Sequence, residues 1–232
     1  MKQDCMQRHL RNSALGLLAV LTPAMASARE DAQLWTGAAA VVNLGGKWRL
    51  SEEVIARFSD RRHGLYEIES NTLVGFRLTK NMTFWAGYTH NPNYAAGRFT
   101  VMEHRGREQI TFDNIAQIGR GRLSARLRLE QRWREGVEGT AWRLRPYVKY
   151  AVPLGQEGSP SLNFSHESFI NLNTTNFQRV GGEQRMRNLL AIAVPVRKNI
   201  TAELGYLNQH GFVPSAPDTT DHIASVTLSF AL

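Results

Sequence analysis

The sequence has very little cysteine and no long apolar run. Its one cysteine, Cys5, has no partner in the chain, so no intramolecular disulfide can form. No stretch reaches the roughly 18 consecutive apolar residues that a membrane-spanning helix needs. Metal-type Cys and His spacings, a glycine-rich phosphate loop and a Gly-x-Ser-x-Gly turn are also missing. We therefore expect neither a disulfide scaffold nor a helical membrane protein, and neither a metal nor a cofactor.

The composition also argues against disorder and against nucleic-acid binding. Hydrophobic residues make up 42% of the 232 residues, and five Trp, six Tyr and ten Phe provide ample surface to bury. The formal net charge is +8, but the basic residues alternate with apolar ones instead of forming a continuous patch. The sequence thus predicts a folded domain that does not bind nucleic acid.

Residues 1–28 have the order of a secretory signal peptide. An apolar run at 14–21 follows a basic stretch and precedes Pro23 and a small-residue segment at 24–28. We predict cleavage after Ala28, with Ala26 as the alternative site. The apolar run is too short for a membrane anchor, and Cys5 precedes it, whereas a lipoprotein cysteine would follow it. Residues 29–232 then form the folded domain of an exported protein.

Apolar and polar residues alternate strictly through much of that domain. In residues 123–134, Leu123, Leu127 and Trp133 share one face, while Arg126 and Arg128 share the other. A period of two is typical of β-strands. The pattern predicts strands near 32–44, 47–58, 65–78, 82–91, 107–118, 122–134, 140–153, 161–171, 183–195, 199–209 and 222–232.

The predicted connections alternate between tight turns and longer loops. Longer loops are expected at 59–64, 92–106, 172–182 and 210–221. This asymmetry is typical of antiparallel up-and-down β-barrels in the outer membrane, which normally have an even number of strands. Eleven segments are an odd count, so we expect an all-β transmembrane barrel of about 10–12 strands, with 10 or 12 favoured over 11.

Strand length and side-chain chemistry favour a membrane barrel over a soluble one. Segments of ten or more residues exceed the usual soluble strand of about 5–6 and match the roughly 9–11 that cross a bilayer. Aromatic residues on the apolar face would form the interfacial belts, namely Trp48, Phe58, Phe76, Tyr88, Trp133, Trp142, Tyr150 and Tyr206. A soluble periplasmic barrel is the less favoured alternative.

The last strand carries a separate indication of location. Val226, Leu228, Phe230 and Leu232 share one face of residues 222–232. This arrangement resembles the C-terminal strand by which the barrel assembly machinery recognises outer-membrane proteins, although the terminal residue is Leu where Phe is commonest. We expect the cell outer membrane as the location and the assembly machinery as a partner during biogenesis; the oligomeric state stays open.

The polar face of the strands would line the lumen of such a barrel. Its charged members are Arg57, Glu67, Glu69, Arg77, Arg126, Arg128, Glu130, Arg132, Arg143, Arg145, Lys149, Glu167, Arg185, Arg187 and Glu203. Buried charges are costly unless they are paired or hydrated. These residues therefore form either a salt-bridged structural plug or a narrow conduit for small anionic solutes.

Several basic residues fall in the predicted loops. They are Arg61, Arg62, His63, Arg98, Arg105 and Arg107. If the C-terminus lies in the periplasm, these loops face outward, where outer-membrane lipid and the phosphates of lipopolysaccharide are the neighbouring anions. We expect these charges to be simply solvated, with a defined lipid site as the alternative.

The order of several short motifs resembles one family of bacterial outer-membrane barrels, the domain of unknown function 2490 family. The motifs are Gln33–Trp35, Lys47–Leu50, Glu103–Arg105, Leu129–Trp133, His166–Phe169 and Glu203–Tyr206. Each is short and unspecific alone, and their order along almost the whole domain carries the resemblance. The resemblance implies an outer-membrane barrel without an established activity.

An enzymatic alternative rests on His166 and Ser168. Their spacing is similar to the His-x-Ser pair that two outer-membrane enzymes, phospholipase A and lipid A deacylase, place on a lipid-facing strand. The period of two puts both side chains on one outward face, where the imidazole could accept the hydroxyl proton. A triad also needs a group that orients the histidine, and the sequence does not identify one. We therefore expect a non-enzymatic barrel, with a lipid hydrolase as the alternative.

Overall fold

A computed structural model describes residues 29–156 and 158–232. The predicted signal peptide lies outside these residues. The described chain forms eleven β-strands: β1 (Arg29–Gly45), β2 (Trp48–Ser59), β3 (Gly64–Thr79), β4 (Met82–Ala95), β5 (Arg98–Ile118), β6 (Gly121–Arg134), β7 (Val137–Pro153), β8 (Ser161–Asn171), β9 (Gly182–Arg197), β10 (Ile200–Gly211) and β11 (Thr219–Ala231). Within these two ranges, no helix is long and apolar enough to cross a membrane.

The strands close into a single barrel. Each strand from β1 to β10 pairs antiparallel with the next, and β1 pairs with β11 to complete the cylinder. The closing pair is parallel, from Arg29 opposite Thr219 to Val41 opposite Ala231. Parallel closure follows from the odd strand number, because an odd up-and-down chain enters at one end of the cylinder and leaves at the other. We refer to these as the Arg29 end and the Leu232 end.

The all-β barrel is confirmed, and the preference for an even strand count is wrong. The predicted loop at 92–106 is also wrong, since β4 and β5 continue through it and meet in a two-residue turn at Ala96 and Gly97. Both turn residues have positive φ, 48° and 73°, as tight hairpin turns require. Pro92 is accommodated in β4 because it has no ladder partner on the β3 side, between the pairs Ser70–His90 and Glu67–Asn93.

Polarity is inverted relative to a soluble protein. Large apolar side chains are exposed on the outside of the wall, including Leu34, Val54 and Leu204, and charged side chains are buried inside. All eight predicted belt aromatics occupy outward-facing positions, and Trp48 and Tyr206 are about half exposed, at 53% and 48%. A continuous exposed apolar surface of this kind indicates contact with another apolar phase.

Candidate functional site

A continuous circuit of charged side chains surrounds the middle of the barrel interior. Arg57 on β2 lies 3.1 Å from Glu69 on β3, which in turn lies 2.8 Å from Arg107 on β5. Arg107 Nε lies 3.0 Å from Glu130 Oε1 on β6. The side chains of Arg107 and Glu130 are completely buried. Charges this deep are tolerated because each one contacts opposite charges.

The circuit continues around the other half of the wall. Arg145 on β7 lies 2.7 Å from Glu130 and 2.9 Å from Glu167 on β8, and Glu167 lies 4.0 Å from Arg187 on β9. The guanidinium groups of Arg187 and Arg57 then lie 4.6 Å and 4.3 Å from the ring centroid of Trp35 on β1, within cation–π range. We call this circuit the Arg–Glu ring; its members are Arg57, Glu69, Arg107, Glu130, Arg145, Glu167, Arg187 and Trp35.

A second cluster lies beside the ring, toward the Arg29 end. Glu103 on β5 is 2.7 Å from Arg105, 2.8 Å from Arg132 and 2.7 Å from Arg134. Neutral side chains fill the space between the two clusters: Asn71, Thr89 and Asn91 are at most 2% exposed and hydrogen-bond to each other or to the arginines. The middle of the barrel is therefore packed with polar groups that are mostly paired, although Nε of Arg57, Arg107 and Arg126 is buried without a hydrogen-bond partner among the described residues.

All fifteen charged residues predicted for the lumen occupy inward-facing positions. Twelve of them make ion pairs within 4 Å, and within the described ranges Arg77, Arg128 and Arg185 do not. Arg128 instead donates to Gln109 at 2.7 Å. Lys149 and Glu203 are partly exposed, at 36% and 25%, and lie 3.8 Å apart.

The prediction from sequence missed three central members of the interior, Glu103, Arg105 and Arg107. It placed the two arginines in an outward-facing loop, and this was wrong because β5 begins at Arg98 and carries both into the lumen. Residues 103, 105, 107 and 109 share one face of the strand, but the opposite face includes His104 and Glu108, so the alternation of polarity is weak in this part of the sequence. Arg61, Arg62, His63 and Arg98 are exposed at the Arg29 end.

A cavity of about 570 Å³ occupies the interior at the Arg29 end. We call it the vestibule. Its lining contains eleven arginines but only five carboxylates, and it therefore carries a large positive excess. The lining also contains Tyr66, Phe169 and Phe177. The arginines are Arg29, Arg57, Arg61, Arg62, Arg105, Arg132, Arg134, Arg143, Arg145, Arg185 and Arg187.

One titratable group near the mouth of the vestibule is held by the segment between β10 and β11. Asp218 Oδ1 accepts from the Val213 amide at 2.9 Å, and its other carboxylate oxygen lies 3.1 Å from His210 Nε2. The hydrogen bond from the Val213 amide lowers the pKa of Asp218 below its ordinary value, and the hydrogen bond and charge of His210 lower it further. The ionised carboxylate therefore fastens this segment at neutral pH.

His166 and Ser168 lie on the outward face of β8, and the structure adds a third member to the pair. His166 Nε2 lies 3.1 Å from Ser168 Oγ, and His166 Nδ1 lies 2.8 Å from Asn188 Oδ1 on β9. His166 and Asn188 are direct partners in the β8–β9 register. The orienting group that the sequence did not identify is therefore present, on the neighbouring strand.

An apolar groove lies on the outer wall beside these three residues. It has a volume of about 580 Å³ and is lined mainly by outward aliphatic and aromatic side chains of β8–β11, among them Leu162, Leu190, Ile192, Leu204 and Tyr206. Within the described ranges, no group of three or more His, Cys, Asp or Glu residues is arranged to hold a metal ion.

The sequence matches one known protein family over most of its length. The model of the family described as "Protein of unknown function (DUF2490)" matches residues 32–220. The chain belongs to this family. A protein of Methylorubrum extorquens (strain AM1) described as uncharacterized is 28% identical to this family member over 226 residues, covering 96% of this chain and 98% of the relative. No solved structure shows significant similarity to this family member.

Proposed function

We propose that the protein is an integral outer-membrane barrel that is closed to through-flow and binds a small anionic solute in its vestibule. The inverted polarity of the wall supports the membrane location. An apolar exterior with aromatic belts at both ends and a charged interior is the pattern of outer-membrane barrels. Every backbone edge is paired by closure, as a lipid environment demands.

The observation that carries the closed state is the Arg–Glu ring. It surrounds the middle of the lumen, and its members Arg107 and Glu130 have completely buried side chains. Ions would have to displace side chains that are held by two or more charged partners each. This arrangement supports the structural plug over the conduit that the sequence also allowed.

The positive excess of the vestibule supports anion binding. Arginine forms bidentate, charge-assisted bonds with carboxylate and phosphate groups. Arg185 lies at the wall of the vestibule, 5.9 Å from the ring centroid of Phe169, and makes no ion pair within 4 Å among the described residues, so its guanidinium can receive a ligand. We expect inorganic pyrophosphate to bind, with an affinity that falls as ionic strength rises.

Planar-bilayer recording and calorimetry test the two parts of the proposal. The purified barrel should pass no steady current, whereas a double variant R107A/E130A, which removes two fully buried side chains from the ring, should conduct. Pyrophosphate should bind to the wild type in detergent, and Arg185→Gln should weaken that binding about tenfold, in line with the loss of one charge-assisted hydrogen bond.

Arg77→Gln is the matched control for binding, since Arg77 also faces inward but lies near the Leu232 end, away from the vestibule. A wild-type current carried by single channels would contradict the closed state. Equal pyrophosphate affinity in wild type and Arg185→Gln would contradict the vestibule site.

A further inference from the structure

The outward Ser–His–Asn cluster has the hydrogen-bond chain of a nucleophilic triad. Asn188 Oδ1 only accepts, so the contact at 2.8 Å places the proton of His166 on Nδ1. His166 Nε2 is then free to accept the proton of the Ser168 hydroxyl, 3.1 Å away. These are the roles of nucleophile, general base and orienting group, with an amide in the third position as in Cys-His-Asn proteases.

The cluster belongs to a row of polar side chains on the outer wall. The strand registers place His166, Asn188, Asn208 and His222 directly side by side across β8, β9, β10 and β11. Ser168 lies three residues before the last residue of β8, at the Arg29 end. Polar groups facing lipid are costly unless they lie at the interface with water. This row therefore marks the level where lipid head groups begin.

The next row toward the Leu232 end is apolar. The same registers align Phe164, Leu190, Tyr206 and Ala224. The groove of about 580 Å³ continues from this row along the wall. A lipid with its acyl chain in the groove would therefore hold its ester carbonyl at the boundary between the apolar row and the row that contains the triad.

The β7–β8 ladder is interrupted beside the serine. Leu144 pairs with Ile170, and the next pair along the two strands is Tyr147 with Glu167. Pro146 therefore lies opposite Ser168, but the two residues form no ladder pair. Proline has no amide hydrogen to donate. The backbone next to Ser168 is thus less tied to the neighbouring strand than the rest of β8.

We propose that Ser168, His166 and Asn188 hydrolyse a fatty-acyl ester of a membrane lipid. The Ser168 oxygen attacks the ester carbonyl carbon while His166 Nε2 takes the hydroxyl proton. The bond from carbonyl carbon to alkoxy oxygen breaks, His166 returns the proton to the departing alkoxide, and an acyl-serine forms. A water molecule, deprotonated by His166, then attacks the acyl-serine, releasing the fatty acid and restoring the serine. Asn188 is a positioning residue throughout.

Hydrolysis in mixed detergent micelles tests the proposal independently of the vestibule and of conduction. One arm offers a phosphatidylglycerol–phosphatidylethanolamine mixture and a second offers purified lipopolysaccharide, with released fatty acid measured by mass spectrometry. We expect release in one arm, which identifies the lipid class, and covalent labelling of Ser168 by a fluorophosphonate. Ser168→Ala and His166→Ala should each lower release at least a thousandfold. Ser70→Ala, an outward serine that faces His90 in the β3–β4 register, should leave release unchanged.

The positioning role of Asn188 has its own readout. The outward neighbours of His166 across β7 and β9 are Val148, Pro146, Met186 and Leu190, none of which ionises. Asn188→Asp should therefore move the acidic limb of the activity profile to higher pH, because a carboxylate stabilises the imidazolium. Wild-type release in Ser168→Ala, or neither release nor labelling in the folded wild-type barrel, would overturn the proposal.

Discussion

At the scale of single residues, the interior depends on carboxylates that each serve several guanidinium groups. Glu130 contacts Arg107, Arg143 and Arg145 at 3.0 Å, 2.5 Å and 2.7 Å. Removing such a carboxylate leaves buried positive charges without a partner. The loss of stability should thus come mainly from the buried arginines that are left without a partner, more than from the lost contacts themselves.

Glu130→Gln should destabilise the barrel by about 3–5 kcal/mol, the usual cost of breaking a buried pair. The measurement is urea unfolding in lipid vesicles, followed by tryptophan fluorescence. Glu203→Gln is the matched control, because Glu203 is a quarter exposed and has one ion pair at 3.8 Å; it should cost under about 1 kcal/mol. Equal losses in the two variants would show that burial in the ring carries no special energetic weight.

Which residues face inward could be predicted for the strongly alternating strands, but which ones meet could not. Alternation along a strand sets the face of each side chain, so the inward members of residues 123–134 and 140–153 could be predicted, whereas Glu103, Arg105 and Arg107 were missed where the sequence suggested a loop. Contacts depend on the register between strands. Asn188 was missed for this reason: it lies twenty residues from Ser168, and the β8–β9 register brings it opposite His166.

At the scale of strands, predictions failed where turn-forming residues lie inside a strand. Asn91, Pro92 and Asn93 suggested a loop, yet all three belong to β4, and the chain turns at Ala96 and Gly97. Pro92 stays in the β4–β5 register opposite Met102, but it has no ladder partner on the β3 side, where the pairs pass from Ser70–His90 directly to Glu67–Asn93. The missing amide hydrogen of the proline therefore breaks no β3–β4 ladder bond. Local propensity was overridden by the pairing of β4 and β5 along their full length.

A glycine inside β4 sets how closely two strands pack. A Cβ added at Gly87 would lie 2.0 Å from the Thr72 carbonyl oxygen and 2.7 Å from the Leu73 Cα, both backbone atoms that cannot rotate away. Gly87→Ala should therefore cost about 3 kcal/mol through forced separation of β3 and β4. Gel electrophoresis after heating would measure this destabilisation. The compact band of the folded barrel should disappear at a lower temperature for Gly87→Ala than for the wild type.

Gly106→Ala provides the comparison for this substitution. Gly106 is also a strand glycine, but its nearest new contact would be 3.6 Å from the flexible Gln131 side chain. We expect a change within about 0.5 kcal/mol. A similar loss in both variants would mean that glycine removal in any strand is costly, independently of the approach of β3 to β4.

At the scale of the whole molecule, the odd strand number places the two ends of the domain on opposite sides. Arg29 begins β1 at the end that contains the vestibule, and β11 finishes at the other end. Alternation could predict eleven segments but could not indicate whether the outer two would pair in parallel, because side-chain pattern is the same for both directions. In an even barrel, both ends of the chain would lie at the same end of the cylinder.

Cysteine labelling can therefore test the closure directly. The described residues contain no cysteine. Glu30 and Arg62 are exposed at the Arg29 end, and Lys198 is exposed at the Leu232 end. With the vestibule facing out of the cell, a membrane-impermeant maleimide should label Glu30→Cys and Arg62→Cys on intact cells, and should label Lys198→Cys only after permeabilisation. The parallel β1–β11 pair requires Glu30→Cys to behave like Arg62→Cys whichever way the barrel is inserted. Labelling of Glu30→Cys together with Lys198→Cys would mean that the first strand does not span the barrel in the observed direction.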